Sequence, residues 1–490
     1  MSSVLGVVLV YLLAVLFIGR AAERLFSGTS EDYFVASRSI GSFVLLMTVF
    51  GTHMTAFTLL GASSEAHLQG IVVFALMGSS SAIVAPLVLY FVGTRSWWLG
   101  KRHGFLTQVQ FFRERYQSEA VALVLFVVLI GLLLPYVLIG VKGAGDVLWA
   151  LTGAGNGGLP PWVGSLVMCG VILLYVAHGG MRSTAWANTF QTLFFMAFGA
   201  IALFVVLDRY GGLGQAFAAL SPDRGELLAI GKGPVELRRM VSYLLIPLSV
   251  GVFPHVFSHW LTAKSARTFR IAITLYPLCI TIVWVPSVVL GVVGNIDFPP
   301  PLEGPVLVHL ILRHASGLLA GLLAAGVLAA IMSSVDSQTL AAGTLFTQDI
   351  VRHFGFHDRL SESKQVLVGR IFVTLFLVVV FVLSQITTRS IFNVGTWSLS
   401  GFAGLFPVLL AALFWKRSTA AGALAGIFTV TILWITFFWR STAGQGEYTV
   451  FGFLPVVYLL LGSTTAVVIG SLVTAPPRED VLRKFFPELR

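Results

Sequence analysis

Apolar runs recur along the whole chain, each near the length of about 20 residues that crosses a bilayer as a helix. Short polar segments separate them. The pattern predicts spans at 4–19, 42–62, 71–93, 119–140, 162–180, 184–207, 240–258, 271–293, 316–346, 370–388, 391–414, 418–439 and 450–474, about thirteen transmembrane helices. The 316–346 run is long and Gly/Ala-rich and carries Ser333, Ser334 and Asp336, so tilt or extension past the membrane is expected. Met1 to Ile18 is almost wholly apolar, but Arg20 and Arg24 follow it. A secretory signal places its positive charge first, so this run is expected to be a retained helix.

Composition agrees. Of 490 residues, 57% are hydrophobic and 11% charged, and the mean hydropathy is +0.90. A soluble domain carries about 25% charged residues, so a soluble multidomain enzyme and a disordered chain are both excluded. The net charge of +10 is assigned to basic cytoplasmic loops rather than to nucleic-acid binding. An outside N-terminus puts 22 of the 31 Lys and Arg in inside segments and nine outside, which favours that orientation and a C-terminus inside. Arg113, Arg115, Lys101 and Arg102 are expected to face phospholipid headgroups. Cys169 and Cys279 lie in apolar runs and form no disulfide framework. One membrane transport domain takes residues 1–490.

Ten helices between 42 and 414 divide into halves of opposite topology, 42–207 and 240–414. An extra helix at 4–19 precedes them, two more at 418–474 follow, and 475–490 is a cytoplasmic tail. Two five-helix halves of opposite topology are an inverted repeat, a plan common among transporters. Any such count splits this way, so the interruptions carry the argument. Gly51-Thr52-His53-Met54-Thr55 breaks the first helix of the first half, and Gly251-Val252-Phe253-Pro254-His255 breaks its counterpart. Pro254 cannot donate to the helix ladder, and Gly loosens it. Matched interruptions point to a binding site near the midplane.

Ser333 and Ser334 place two hydroxyls at membrane depth, and the carbonyl of Ala330 lies one turn before Ser334. Oxygen donors suit a hard cation such as sodium. The alternative is that these hydroxyls bond carbonyls of their own helix.

Residues 324–350, Ala-Ala-Gly-Val-Leu-Ala-Ala-Ile-Met-Ser-Ser-Val-Asp-Ser-Gln-Thr-Leu-Ala-Ala-Gly-Thr-Leu-Phe-Thr-Gln-Asp-Ile, resemble the eighth core helix of the sodium:solute symporters, relatives of the proline, sugar, sialic acid and pantothenate carriers. Residues 31–41 are similar to that family's lead-in to its first core helix. Residues 179–191 resemble its cytoplasmic turn into the fifth, and 414–426 a late turn. The resemblance implies an all-α polytopic LeuT-type fold with a 5+5 inverted repeat, sodium as the coupling ion, no cofactor, and alternating access. It implies a sodium site on the carbonyls of Gly51, Met54 and Ala330 and the hydroxyls of Ser333 and Ser334. Many relatives carry Asp two residues after the Trp of the fifth-helix block. Here that position is Asn188, which puts a second sodium site there in doubt.

The two broken helices nominate Thr52, His53, Phe57, Thr58, Phe253, Pro254, His255 and Phe257 as substrate-binding, with Asn393 and Trp397 closing the cavity from outside. Free amides of a half-helix suit an anionic group. No cluster of acids awaits a cation, so a carboxylate or amino acid is favoured. His255 is equally a structural residue. Asp336 follows the serines and is expected in an ion pair with Arg182 or Arg267, and Glu65 at the outer interface. The resulting expectation is a sodium-coupled symporter importing a small organic solute across a cell membrane, a bacterial inner membrane by the compact chain. One alternative is a proton-coupled transporter of the same fold using His53. Another is a transporter-like membrane sensor, disfavoured by the roughly 16 residues after the last span. An enzyme is not expected: no His-Glu-x-x-His motif or paired intramembrane acids occur.

Overall fold

The computed structural model describes residues 2–23, 34–153, 158–220, 222–229, 234–355, 362–441 and 447–487. Glu31, Asp32 and Tyr33 of the 31–41 block lie outside these residues. The described chain is helical: α1 Ser2–Glu23, α2 Ser42–His53, α3 Phe57–Gln69, α4 Phe74–His103, α5 Gln108–Tyr116, α6 Glu119–Gly153, α7 Pro161–Leu174, α8 Gly180–Arg209, α9 Leu237–Gly251, α10 Pro254–Leu261, α11 Ala266–Asp297, α12 Val306–His314, α13 Gly317–Arg352, α14 Leu367–Ile386, α15 Ile391–Phe414, α16 Ala420–Ser441, α17 Pro455–Val473 and α18 Glu479–Phe485.

Among the described residues ten helices are long and apolar enough to span a membrane, and twelve if each of two bent pairs is one span. The run expected at 162–180 corresponds to α7, which is apolar but shorter. The bent pairs are α2–α3, at 57°, and α9–α10, at 50°. Both fall where the sequence is interrupted. At the first, Met54 leaves the helix at φ −82°, ψ 118°. At the second, α9 tightens into a 3₁₀ turn over Ile246–Gly251, Phe253 extends, and Pro254 opens α10 at a position that needs no amide donor.

Burial is graded across the bundle. α13 and α15 are enclosed on nearly all sides, whereas α1, α14, α16 and α17 leave most of their apolar surface outward, as helices facing lipid do. α13 packs on α1, α6 and α7–α8. Ser333, Ser334 and Ser337, buried along it, bond within the bundle, whereas the side chains of Gln338 and Thr339 have no hydrogen-bond partner among the described residues. At the chain's other end Phe485 of α18 stacks on Phe105, and Lys484 pairs with Glu114 at 2.6 Å.

Gly70 closes α3 at φ 84°, ψ −160°, a region that glycine alone occupies at low cost. A Cβ there would also meet the backbone of Leu227. Gly70→Ala should therefore lower unfolding stability by about 3 kcal/mol, measured by thermal unfolding in detergent. A melting temperature equal to wild type would show that this turn relaxes freely.

Candidate functional site

At the first break Met54 N–H closes the last turn of α2 on Phe50, while the amide of Thr58 turns to Thr55 rather than to Met54. The carbonyls of the break are thereby freed from a regular ladder. α13 answers from across the bundle. Ser333 Oγ lies 2.9 Å from the Gly51 carbonyl and 3.0 Å from that of Ala330. Ser334 Oγ lies 2.9 Å from the Ile331 carbonyl and 3.4 Å from Ala330. Four of the five expected ion-site groups thus meet around Ala330, all fully buried. Met54 sits at the adjoining bend. Both readings of the serines are visible together. Ser334 bonds only its own helix, and Ser333 also crosses to the broken one.

Ser337 extends the polar column by one turn. Its hydroxyl donates to the Ser333 carbonyl at 3.3 Å and accepts from Asn188 Nδ2 at 2.7 Å, leaving His259 Nε2 at 3.3 Å as a second donor. Asn188 is therefore beside the serine helix, but it presents an amide where a carboxylate would be needed for charge. Asp336 is buried and accepts the Ser337 amide at 2.5 Å.

A central cavity lies against the first break, lined by His53, Met54, Thr55, Phe57, Thr58, Met77, Ser81, Tyr136, Trp284 and Leu399. At about 10 Å³ it has room for about one water. His53 Nδ1 and the Tyr276 hydroxyl are 2.5 Å apart, so the imidazole is fixed by a residue of α11. Phe253, from the second break, stacks on Tyr136 at 5.0 Å and on His255 at 5.0 Å, forming the aromatic backing of this cavity. Neither ring nitrogen of His255 has a hydrogen-bond partner, nor does the Thr52 hydroxyl. Phe257 packs against Trp260, at 6.2 Å, and Pro254 starts α10.

Asn393 and Trp397 line a different space. A vestibule of about 640 Å³ sits at the bundle end where α3 finishes and α15 begins, and Glu65, Tyr243, Arg389, Asn393, Trp397 and Glu447 are among its walls. Phe392 faces this vestibule and stacks on Phe57 of the central cavity, at 4.8 Å and 17°. Trp284 meets Phe57 edge-on at 6.1 Å. One aromatic layer thus divides the two spaces. Sequence reasoning missed Tyr136, Tyr276, Trp284 and Phe392, because aromatic residues in apolar spans do not announce which face they occupy.

The lipid-facing assignment of Arg113 and Arg115 is corrected. Both are buried. Arg113 reaches Asp349 Oδ1 at 3.3 Å and Glu119 at 3.1 Å, and Arg115 donates to the carbonyls of Ala412 and Trp415. A guanidinium with five donors can cap helix ends inside a bundle. Lys101 and Arg102 remain exposed and lie over Trp97 and Trp98. Glu65 is half-buried and faces the vestibule.

A bundle with two broken helices, a buried oxygen cluster at one break and a cavity beside it defines a membrane transport protein. The sodium:solute symporter family model matches residues 33–429, and the chain belongs to that family. The chain is 25% identical to the osmoregulated proline transporter OpuE of Bacillus subtilis, over 97% of this chain and 96% of that one. It is also 25% identical to the sodium/proline symporter of Escherichia coli, over 92% of each. In structure it resembles a sodium-coupled sialic acid symporter solved in a substrate-bound outward-open state, with a TM-score of 0.77, 16% identity, and coverage of 97% and 99%. The fold is thus the LeuT type, and the protein is a multi-pass cell-membrane symporter, not an enzyme.

Proposed function

We propose that sodium binds between α2 and α13, on the carbonyls of Gly51, Met54 and Ala330 and the hydroxyls of Ser333 and Ser334, and drives import of a small carboxylate or amino acid. The observation that carries this reading is the Ser333 hydroxyl, within 3.0 Å of carbonyls on both helices. An ion at that point replaces a hydrogen bond between helices by a shared cation. It then favours whichever access state brings α2 and α13 together, and solute affinity rises with sodium. The charge distribution along the loops supports a vestibule open to the outside, with the N-terminus outside and the C-terminus inside.

The solute would occupy the central cavity once the Phe57–Phe392 layer parts. Among the described residues no carboxylate lines that cavity, and Thr58, Ser81, Tyr136 and His53 supply polar contacts among aromatic walls. That lining suits a compact solute with a carboxylate end. L-Proline is the first to test, because curated relatives matched over almost their whole length are proline transporters.

Thermal unfolding of the purified protein with L-proline, other amino acids, monocarboxylates, sugars and vitamins, in sodium and in choline, tests the reading. A ligand at 100 times its Kd stabilises the state it binds by about 2.7 kcal/mol. The expected result is a shift with one carboxylate-bearing solute that requires sodium. A shift of equal size in choline that follows pH, and disappears in His53→Asn, would transfer coupling to protons.

A further inference from the structure

The wall of the central cavity combines polar groups of adjustable and of fixed polarity. Thr58, Ser81 and Tyr136 carry hydroxyls, which turn to donate or to accept. The neutral imidazole of His53 has no such freedom, because one ring nitrogen carries the proton and the other is bare. The nitrogen that faces the cavity therefore decides whether His53 offers a solute a donor or an acceptor.

Tyr276 makes that decision. It is fully buried in α11, and its hydroxyl has one hydrogen-bond partner among the described residues, His53 Nδ1 at 2.5 Å. If Nδ1 carried the proton, it would donate to the phenolic oxygen and leave the phenolic O–H buried without an acceptor. A ring protonated on both nitrogens strands that O–H equally. A buried donor without a partner is costly. If Nδ1 is bare, it accepts from the phenol and both groups are satisfied. The imidazole proton then sits on Nε2. Nε2 has no hydrogen-bond partner among the described residues, and, unlike the two ring nitrogens of His255, it is not sealed from open space. The space that His53 lines is the central cavity. Packing holds the ring in this pose. It lies 6.0 Å from the Tyr276 ring at 24° and 6.2 Å from Phe253, and Phe50 meets Tyr276 edge-on at 5.4 Å.

We propose that Tyr276 is a positioning residue that holds His53 as the Nε2–H tautomer, so that the first break presents a hydrogen-bond donor of fixed polarity to the solute. The end of the solute that meets α2 must then be an acceptor, a carboxylate rather than an ammonium. The ammonium of an amino acid points away from His53. The proposal rests on the solute reading above and adds to it the orientation of the solute and the residue that sets it.

The test is a solid-state 15N–13C correlation spectrum of the full-length protein in lipid bilayers, labelled at histidine, in sodium without solute. Nδ1 is bonded to Cγ and Nε2 is not, so the carbon correlations identify the bare nitrogen. The signals of His53 are those that vanish in His53→Asn. The expected wild-type spectrum has a bare Nδ1 and a protonated Nε2. Tyr276→Phe keeps the ring but not the hydroxyl, and this single form should be lost in it. A protonated Nδ1 in the wild type, or an unchanged tautomer in Tyr276→Phe, overturns the proposal. Sodium-driven uptake of L-proline into proteoliposomes supplies a second readout. Tyr276→Phe should raise KM about ten-fold, the worth of one hydrogen bond to a charged group, at an unchanged maximal rate. A lower maximal rate at unchanged KM marks a structural role and overturns the positioning. Wild-type protein that takes up no L-proline counts against the solute reading above, while the spectrum still decides the tautomer.

Discussion

Ser333→Ala is expected to raise the sodium concentration for half-maximal solute uptake by about 10- to 100-fold. The figure follows from the loss of about 1.5–3 kcal/mol for a contact to a charged group, at about 1.4 kcal/mol per ten-fold. Ser333 is the residue through which α13 touches the break directly, by way of the Gly51 carbonyl. Alanine keeps the packing volume but removes that oxygen. Ser334→Ala should have a smaller effect, since its hydroxyl bonds only within α13. Initial uptake rates against sodium concentration, in proteoliposomes, measure both. Sodium curves unchanged in the two variants would remove the ion from this position.

Arg113→Met should destabilise the fold by about 3–5 kcal/mol, the cost of stranding a buried charge. Asp349 closes the end of the helix that carries the serines. It is completely buried and faces Arg113 at 3.3 Å. Glu119 also contacts Arg113, but it is largely exposed and contributes little. The double variant Arg113→Met, Asp349→Leu should recover most of the loss, because no charge remains to be stranded. Chemical unfolding of the single and double variants separates these terms. A single variant as stable as wild type would show that Asp349 is neutral or hydrated without its partner.

The apolar runs located most helices, since burial in lipid leaves a period-free signal of fixed length. Helix ends were less legible. α3 runs on to Gln69 and α4 to His103 because their polar turns pack against other helices or reach solvent, and neither requires the helix to stop. The two breaks were legible in Gly51–His53 and Gly251–Pro254, where backbone chemistry itself interrupts the ladder. The meeting of Ser333 with Gly51 came from family resemblance rather than spacing, for these residues are 282 positions apart. The same separation hid the role of Arg113, whose buried partner lies 236 positions away. Arg389 was counted only as a loop charge. Its place in one cavity wall with Glu65 is displayed by no local pattern.

The bend between α2 and α3 has a consequence for energy conversion. Within seven residues it carries a carbonyl that faces the serine helix, at Gly51, and a ring of the aromatic layer between the two spaces, at Phe57. The two sit on opposite arms of one joint. Rotation of α3 about Met54 shifts the ring, and the same joint sets the angle at which α2 offers its carbonyl. A stiff joint transmits ion occupancy to the barrier with little loss. A compliant one lets the barrier open while the ion site is vacant, and solute then slips down its own gradient without sodium. On the proposed reading, the efficiency of transduction is set at residues 54–56, of which Met54 and Thr55 also line the central cavity.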